Sequence, residues 1–170
     1  MLENEHVFEE TQTFKRSVLV LMLFASALFF FYVYVSQEFF NQPISESPTN
    51  PDGLIAGGLL LLVLFIVFRF SRYTIILNSQ GVHFKFSPFH LTRRRYPYEE
   101  IKTIYVRAFS PDKEFGGRGL RYSFKRKTWM YTISAAAYCI EIEKKDGGKT
   151  RLGIEDSEQA EKALSAYYTQ

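Results

Sequence analysis

The chain has 170 residues, a formal net charge of +3 and a single cysteine, Cys139. That length holds one domain with accessories, and a lone cysteine excludes an intrachain disulfide framework. A mean hydropathy of −0.12 conceals two unlike halves: residues 1–70 carry three Lys and Arg against seven Asp and Glu, whereas residues 71–170 carry eighteen against eleven.

Residues 1–16 read as a polar N-terminal tail ending in Lys15 and Arg16. Its Phe8-Glu9-Glu10 is expected to touch the basic C-terminal half, with Phe8 or Phe14 in an apolar groove, as a built-in competitor for anionic surfaces. From Val18 to Val35 no charge interrupts the chain. At about 1.5 Å per residue this is roughly 27 Å of helix, near the hydrocarbon thickness of a bilayer. A first transmembrane helix is therefore predicted over 17–36. Ala25-Ser26-Ala27 imitates a signal-peptide cleavage site, but eight apolar residues follow it, and cleavage sites come after the apolar region.

Residues 37–53 contain three prolines and no Lys or Arg, and are predicted to be an external loop. A second span is predicted over 54–70, with no polar face, and Arg69 snorkelling at its end. Gly57 and Gly58 allow a close helix neighbour, for which Ala25 is the candidate. Lys15 and Arg16 flank one span and Arg69 and Arg72 the other, so the positive-inside rule places both termini in the cytoplasm.

Residues 71–170 are predicted to be a cytosolic, mainly β domain. Val82, Phe84 and Phe86 alternate with His83, Lys85 and Ser87, the pattern of a half-buried strand. Tyr73–Asn78 is β-branched and apolar on both faces, and further strands are expected over Thr92–Tyr96, Ile101–Ala108, Leu120–Phe124, Thr128–Ser134, Tyr138–Lys144 and Thr150–Ile154. Asp146-Gly147-Gly148 suits a hairpin turn. Asp156, followed three residues later by Gln159, is the expected N-cap of a C-terminal helix. On it Ala160, Ala163, Leu164, Tyr167 and Tyr168 share one stripe. About seven short antiparallel strands and one amphipathic helix predict a small barrel or sandwich with a helix over its open end.

The motifs YTIILNSQGVHFKF, RRRYPYEEIKTIYV, GGRGLRYSFKRKTWMYTIS and LGIEDSEQAEKAL, after two spans, resemble those of bacterial membrane proteins with a pleckstrin-homology-like domain. Gly116, Gly117, Gly119, Leu120 and Arg121 match the Gly-Gly-Trp-Gly-hydrophobic-Arg motif of such families, with Arg118 where Trp is usual. Ile140-Glu141-Ile142 matches an apolar-Glu-apolar strand. The resemblance implies a pleckstrin-like barrel in the bacterial inner membrane. It implies no activity and no catalytic residue.

The residues point away from catalysis. His6, His83 and His90 lack metal-ligand spacing, Cys139 has no His or Cys neighbour, and no nucleophile elbow is present. Gly116–Lys127 is not a phosphate loop: its glycines precede a strand rather than a helix. Gly116, Gly117 and Gly119 are read as a turn or bulge. Arg93, Arg94, Arg95, Arg118, Arg121, Lys125, Arg126 and Lys127 are the candidate contacts to an anionic surface, because anionic lipid attracts each nearby cation by about 1 kcal/mol. The expectation is a non-enzymatic, two-span membrane protein without a cofactor, presenting a basic module to a membrane protein partner, its own kind or anionic lipid headgroups. The alternative is an accessory subunit of a membrane enzyme or transporter. Nucleic acid is disfavoured by the tether.

Overall fold

A computed structural model of the chain describes residues 8–14, 18–42, 44 and 49–168. Lys15, Arg16, His6 and, within the predicted external loop, Pro43 and Ser45–Pro48 lie outside the described residues. The chain divides into two units: residues 14–70, and residues 1–13 together with 71–170.

The first unit is a helical hairpin of α1 (Val18–Phe40) and α2 (Pro51–Phe70). Both helices have a mean hydropathy of 2.5 and largely exposed surfaces, and both are long and apolar enough to cross a bilayer. Each exceeds its predicted window at the loop side for a local reason. Gln37 extends α1 because its amide clamps the returning chain, donating from Nε2 to the Thr49 carbonyl at 2.6 Å and accepting from the Thr49 N–H at 2.9 Å. The start of α2 is fixed by Asn50, whose Oδ1 accepts from the Asp52 N–H at 3.0 Å, with Pro51 in the first helical position. The close approach is made by Ala27 and Phe30, not Ala25. A Cβ on Gly57 would lie 2.7 Å from the Phe30 ring, and one on Gly58 would meet Phe30 and the Ala27 carbonyl. Ala25 is exposed, because two residues along a helix turn about 200°.

The second unit is two β-sheets with a helix on one flank. The first sheet has the order β1 (Phe8–Thr13), β2 (Arg72–Asn78), β3 (Gly81–Ser87), β4 (Arg94–Tyr96), all antiparallel. Residues 8–13, predicted to be tail, are thus the sheet's edge strand, paired from Phe8↔Leu77 to Thr13↔Arg72. Phe8 is buried as expected of a groove contact, but through strand pairing.

The second sheet has the order β5 (Ile101–Ala108), β8 (Tyr138–Lys144), β9 (Lys149–Ile154), β7 (Thr128–Thr132), β6 (Gly119–Ser123). Here the prediction of antiparallel strands fails once. The chain leaves β7, passes Ala135–Ala137 and forms β8 one place further on. The hairpin from β8 then returns β9 into the gap, so β9 runs parallel to β7. Among the described residues no ladder joins the two sheets, so the structure is an open sandwich of nine strands rather than a barrel of seven.

The inner faces follow the period of two. Tyr73, Ile75, Leu77, Val82, Phe84 and Phe86 of the first sheet are buried, as are Tyr131, Ile140, Ile142, Leu152 and Ile154 of the second. Removing a side chain of this size from water contributes about 1.5–3 kcal/mol. Phe84 and Tyr131 bridge the sheets with ring centroids 4.9 Å apart. On the outer face of the second sheet, Phe109 and Phe115 cover Met130 and Cys139. Phe115 belongs to the short helix α3 (Pro111–Phe115). Helix α4 (Ser157–Tyr167), capped by Asp156 accepting from the Gln159 N–H at 2.9 Å, buries Ala160, Ala163 and Leu164. It packs along β1, β2 and β5 and so covers one flank of the sandwich.

Candidate anion-binding pocket

The opposite flank, between the edge strands β4 and β6, has no helix over it. A polar pocket of about 280 Å³ opens there. Its floor comes from strand register: Tyr122, Trp129 and Thr150 lie in one row across β6, β7 and β9. The Tyr122 and Trp129 rings sit 4.9 Å apart. Across the gap Tyr96 of β4 meets Thr150, with 3.3 Å between the hydroxyls. Four cations ring these groups: Arg94, Lys127, Lys144 and Lys149.

The four cations are not equivalent. Lys144 pairs with Asp146 at 2.6 Å, and that hydrogen bond holds its ammonium above the usual lysine range. Its Nζ also lies 5.4 Å from the centre of the Tyr96 ring. Lys149 pairs with Glu143 at 3.1 Å. Arg94 donates only to the neutral Tyr131 hydroxyl, at 3.4 Å, and burial pushes that phenol up to about 12. Neither Arg94 nor Lys127 has an acidic partner among the described residues. Lys127 also stands at φ 47°, in the left-handed region. A non-glycine residue there costs roughly 1–2 kcal/mol, and here it closes the turn between β6 and β7.

The pocket gathers two of the eight candidate cations, Arg94 and Lys127. The others point elsewhere. Alternation along β4 sends Arg95 to the opposite face, where it donates to the Gln80 carbonyl at 3.2 Å. Arg93, Arg118 and Lys125 are exposed. Arg121 folds back on its own loop, donating to the carbonyls of Arg118 at 3.2 Å and Phe115 at 3.4 Å. Arg126 donates to the Glu114 carbonyl and lies 5.9 Å from the centre of the Phe115 ring.

The glycines serve the backbone. Gly116 and Gly117, at φ 71° and 135°, close the end of α3 by donating to the carbonyls of Asp112 and Pro111, with Gly116 as a left-handed cap, and Gly119 at φ 107° opens β6. His83 and His90 are packing groups. Burial, then Arg95 and Arg93, lowers the pKa of His83. Burial, then Arg94, lowers that of His90.

Residues that the sequence reading did not single out make most of the pocket: Tyr96, Tyr122, Trp129, Lys144, Lys149 and Thr150. Their one shared signal is a tryptophan and tyrosines alternating with basic residues on short strands. A second unforeseen cluster lies on the outer face of the second sheet. Arg107 grips Glu114 at 2.8 and 3.0 Å and Glu141 at 2.6 Å, while Arg151 bridges the same two carboxylates at 2.8 and 3.0 Å. This closed network pins α3 to the sheet.

No protein-family model matches the chain, and no curated protein matches it.

Proposed function

We propose that the protein is a non-catalytic, membrane-anchored binding module of pleckstrin-homology-like design. Its pocket takes an anionic segment of a protein partner, carrying a phosphate or a run of carboxylates. One observation carries this reading: Arg94 and Lys127, two cations without acidic partners, converge with two others over aromatic faces at the flank α4 leaves uncovered. Charge-assisted hydrogen bonds from Arg and Lys suit phosphate and carboxylate oxygens, and the aromatic rings supply contact area at little entropic cost.

A protein segment is favoured over lipid of the protein's own bilayer by strand direction. The chain enters the candidate spans after Thr13 and leaves them just before Arg72, and the neighbouring Gln12 binds the Gly153 carbonyl at 3.0 Å. Lys149 lies at the other end of β9, about 13 Å along the strand from Gly153 at roughly 3.3 Å per residue. Flanking Lys15, Arg16, Arg69 and Arg72 favour the cytoplasm as the side on which the module stands. An accessory subunit of a membrane enzyme or transporter would use the same pocket.

Trp129, the chain's single tryptophan, is the reporter. The full chain in zwitterionic nanodiscs is titrated with an acidic phosphopeptide, with inorganic phosphate, and by comparison with anionic nanodiscs. A saturable change in Trp129 fluorescence with the peptide, lost in Arg94→Gln/Lys127→Gln, is the expected result. A response to anionic nanodiscs alone would assign the pocket to lipid. Equal responses in wild type and double variant would end the proposal.

A further inference from the structure

The loop between β3 and β4 carries two large apolar side chains that the sandwich does not use. Phe89 is 57% exposed and Leu91 is 90% exposed, in a domain whose inward-facing apolar residues are almost wholly buried. The residue between them holds the loop. His90 is buried, its N–H donates to the Phe86 carbonyl at 2.7 Å, and its Nδ1 accepts from the Phe86 N–H at 3.4 Å. Its ring lies 5.4 Å from that of Tyr131 and 6.3 Å from that of Phe84. Phe89 rests one edge near Phe86, at 5.7 Å between centroids, and leaves the rest in the open. The loop is therefore anchored by its middle residue, with apolar groups displayed on either side.

Strand register says what lies beside it. Thr13, Arg72 and Ser87 occupy one row across β1, β2 and β3. All three strands leave the sheet at this row. Past Thr13 the chain runs toward α1, which begins at Val18, and only Ser71 separates Arg72 from the end of α2 at Phe70. Past Ser87 comes Pro88-Phe89-His90-Leu91. Adjacent strands are about 4.8 Å apart, so Ser87 stands about 5 Å from Arg72 and about 10 Å from Thr13. Two residues span at most about 7 Å, so Arg72 cannot be far from the end of α2. Arg72 and Arg93, both exposed, flank the loop with charges suited to headgroups.

From this juxtaposition we infer that the Pro88–Leu91 loop is a third membrane contact, an interfacial anchor whose Phe89 and Leu91 enter the headgroup–acyl boundary of the bilayer crossed by α1 and α2. The ligand is the bilayer itself, recognised by apolar insertion rather than by headgroup charge. With the two chain connections it makes three points of attachment along one edge of the sheet. The inference rests on the two helices being membrane spans.

The test uses the full chain in phosphatidylcholine vesicles, which remove the charge term. Cys139 is buried and burial pushes its thiol up to about 12, so introduced cysteines label selectively. Spin labels are placed at Leu91→Cys, at Leu62→Cys within α2, and at Lys125→Cys on the exposed turn after β6. Neither Leu91 nor Lys125 packs in the core, so folding is retained. Relaxation by oxygen and by a water-soluble nickel chelate reads depth. The label at 91 should be roughly fivefold less accessible to the chelate than the label at 125, as for a group about 5–10 Å inside the boundary. Equal chelate access at 91 and 125, with 62 protected, would overturn the anchor and leave the spans standing. Equal access at all three positions would overturn the spans, and the anchor with them.

Discussion

Gln12 is the polar residue on which the two sheets depend. It is 3% exposed, on a strand that precedes both apolar helices in the chain. Its Oε1 accepts from the Ile133 N–H at 2.9 Å, the Ser134 N–H at 3.1 Å and the Thr132 hydroxyl at 3.2 Å. Its Nε2 donates to the Gly153 carbonyl at 3.0 Å and to Glu10 at 2.7 Å. Gln12→Leu keeps most of the volume and removes every one of these bonds. Thr132 retains the Ser134 carbonyl at 3.2 Å and the Ser134 N–H is only partly buried, but the buried Ile133 N–H and Gly153 carbonyl lose their side-chain partner. Leaving a buried donor or acceptor unmade costs about 1–3 kcal/mol, so two such groups cost about 3–4 kcal/mol, of which the leucine's added apolar burial offsets about 1. A net loss of about 3 kcal/mol should lower Tm by roughly 12 °C in a domain of this size. Urea and thermal unfolding of the full chain in mild detergent, followed through Trp129 fluorescence, measures both. Thr11→Ala is the matched control. It lies on the same strand, and its hydroxyl meets that of Thr74 at 3.0 Å in an exposed position, so it should cost under about 0.5 kcal/mol. If Gln12→Leu costs no more than the control, the N-terminal strand is not joined to the second sheet in this way.

The outer network makes stability depend on acid. Hydrogen bonding from Arg107 holds the Glu114 carboxyl below the usual range; burial pushes Glu141 up, but Arg107 and Arg151 outweigh it and its carboxyl is also lowered. Depressed carboxylates contribute stability that is complete above their unfolded pKa of about 4.3 and is lost as pH falls through the folded values, so the Tm gap between wild type and Glu114→Gln should be wide near pH 7 and close toward about pH 3. Gly117→Val places a branched side chain at φ 135°, where only glycine is unstrained, and its Cβ would stand 2.8 Å from the Arg121 guanidinium. It should cost roughly 1–3 kcal/mol in unfolding experiments while leaving the midpoint of the Trp129 titration unchanged.

The strands of the second unit were legible because one face is buried and the other wet, which imposes a period of two on the residues. Every strand window read from the sequence contains a strand. The N-terminal strand was not legible. In FEETQT only Phe8 and Gln12 turn inward, and a glutamine does not announce burial. Its partner strand also lies beyond two apolar helices. Alternation encodes a face but not a neighbour, so the parallel placing of β9 beside β7 could not be read from it. The same limit hid the pocket. Arg94 and Lys127 were visible as charge, but the groups completing the site come from strands distant in sequence and meet only through register. The glycines at 116, 117 and 119 were legible because positive φ is a local demand that glycine meets without strain.

The pairing of β1 with β2 also bears on how the chain would cross a membrane. Thr13 and Arg72 are directly opposed in an antiparallel ladder, and both long apolar helices lie between them. Two residues paired in one sheet stand on one side of a bilayer. An even number of crossings must therefore separate them, and the region between holds two helices able to cross. A single crossing, with the second apolar stretch as a buried core helix, would put β1 and β2 on opposite sides. Removal of the first apolar stretch as a signal peptide would strip the first sheet of its edge strand and remove Gln12 from the core. The sheet thus excludes a single crossing independently of flanking charge, and the hairpin brings together the two halves of a domain that the sequence divides. Reversing the flanking charges should for that reason meet resistance from the fold itself, since β1 and β2 can only move across the membrane together.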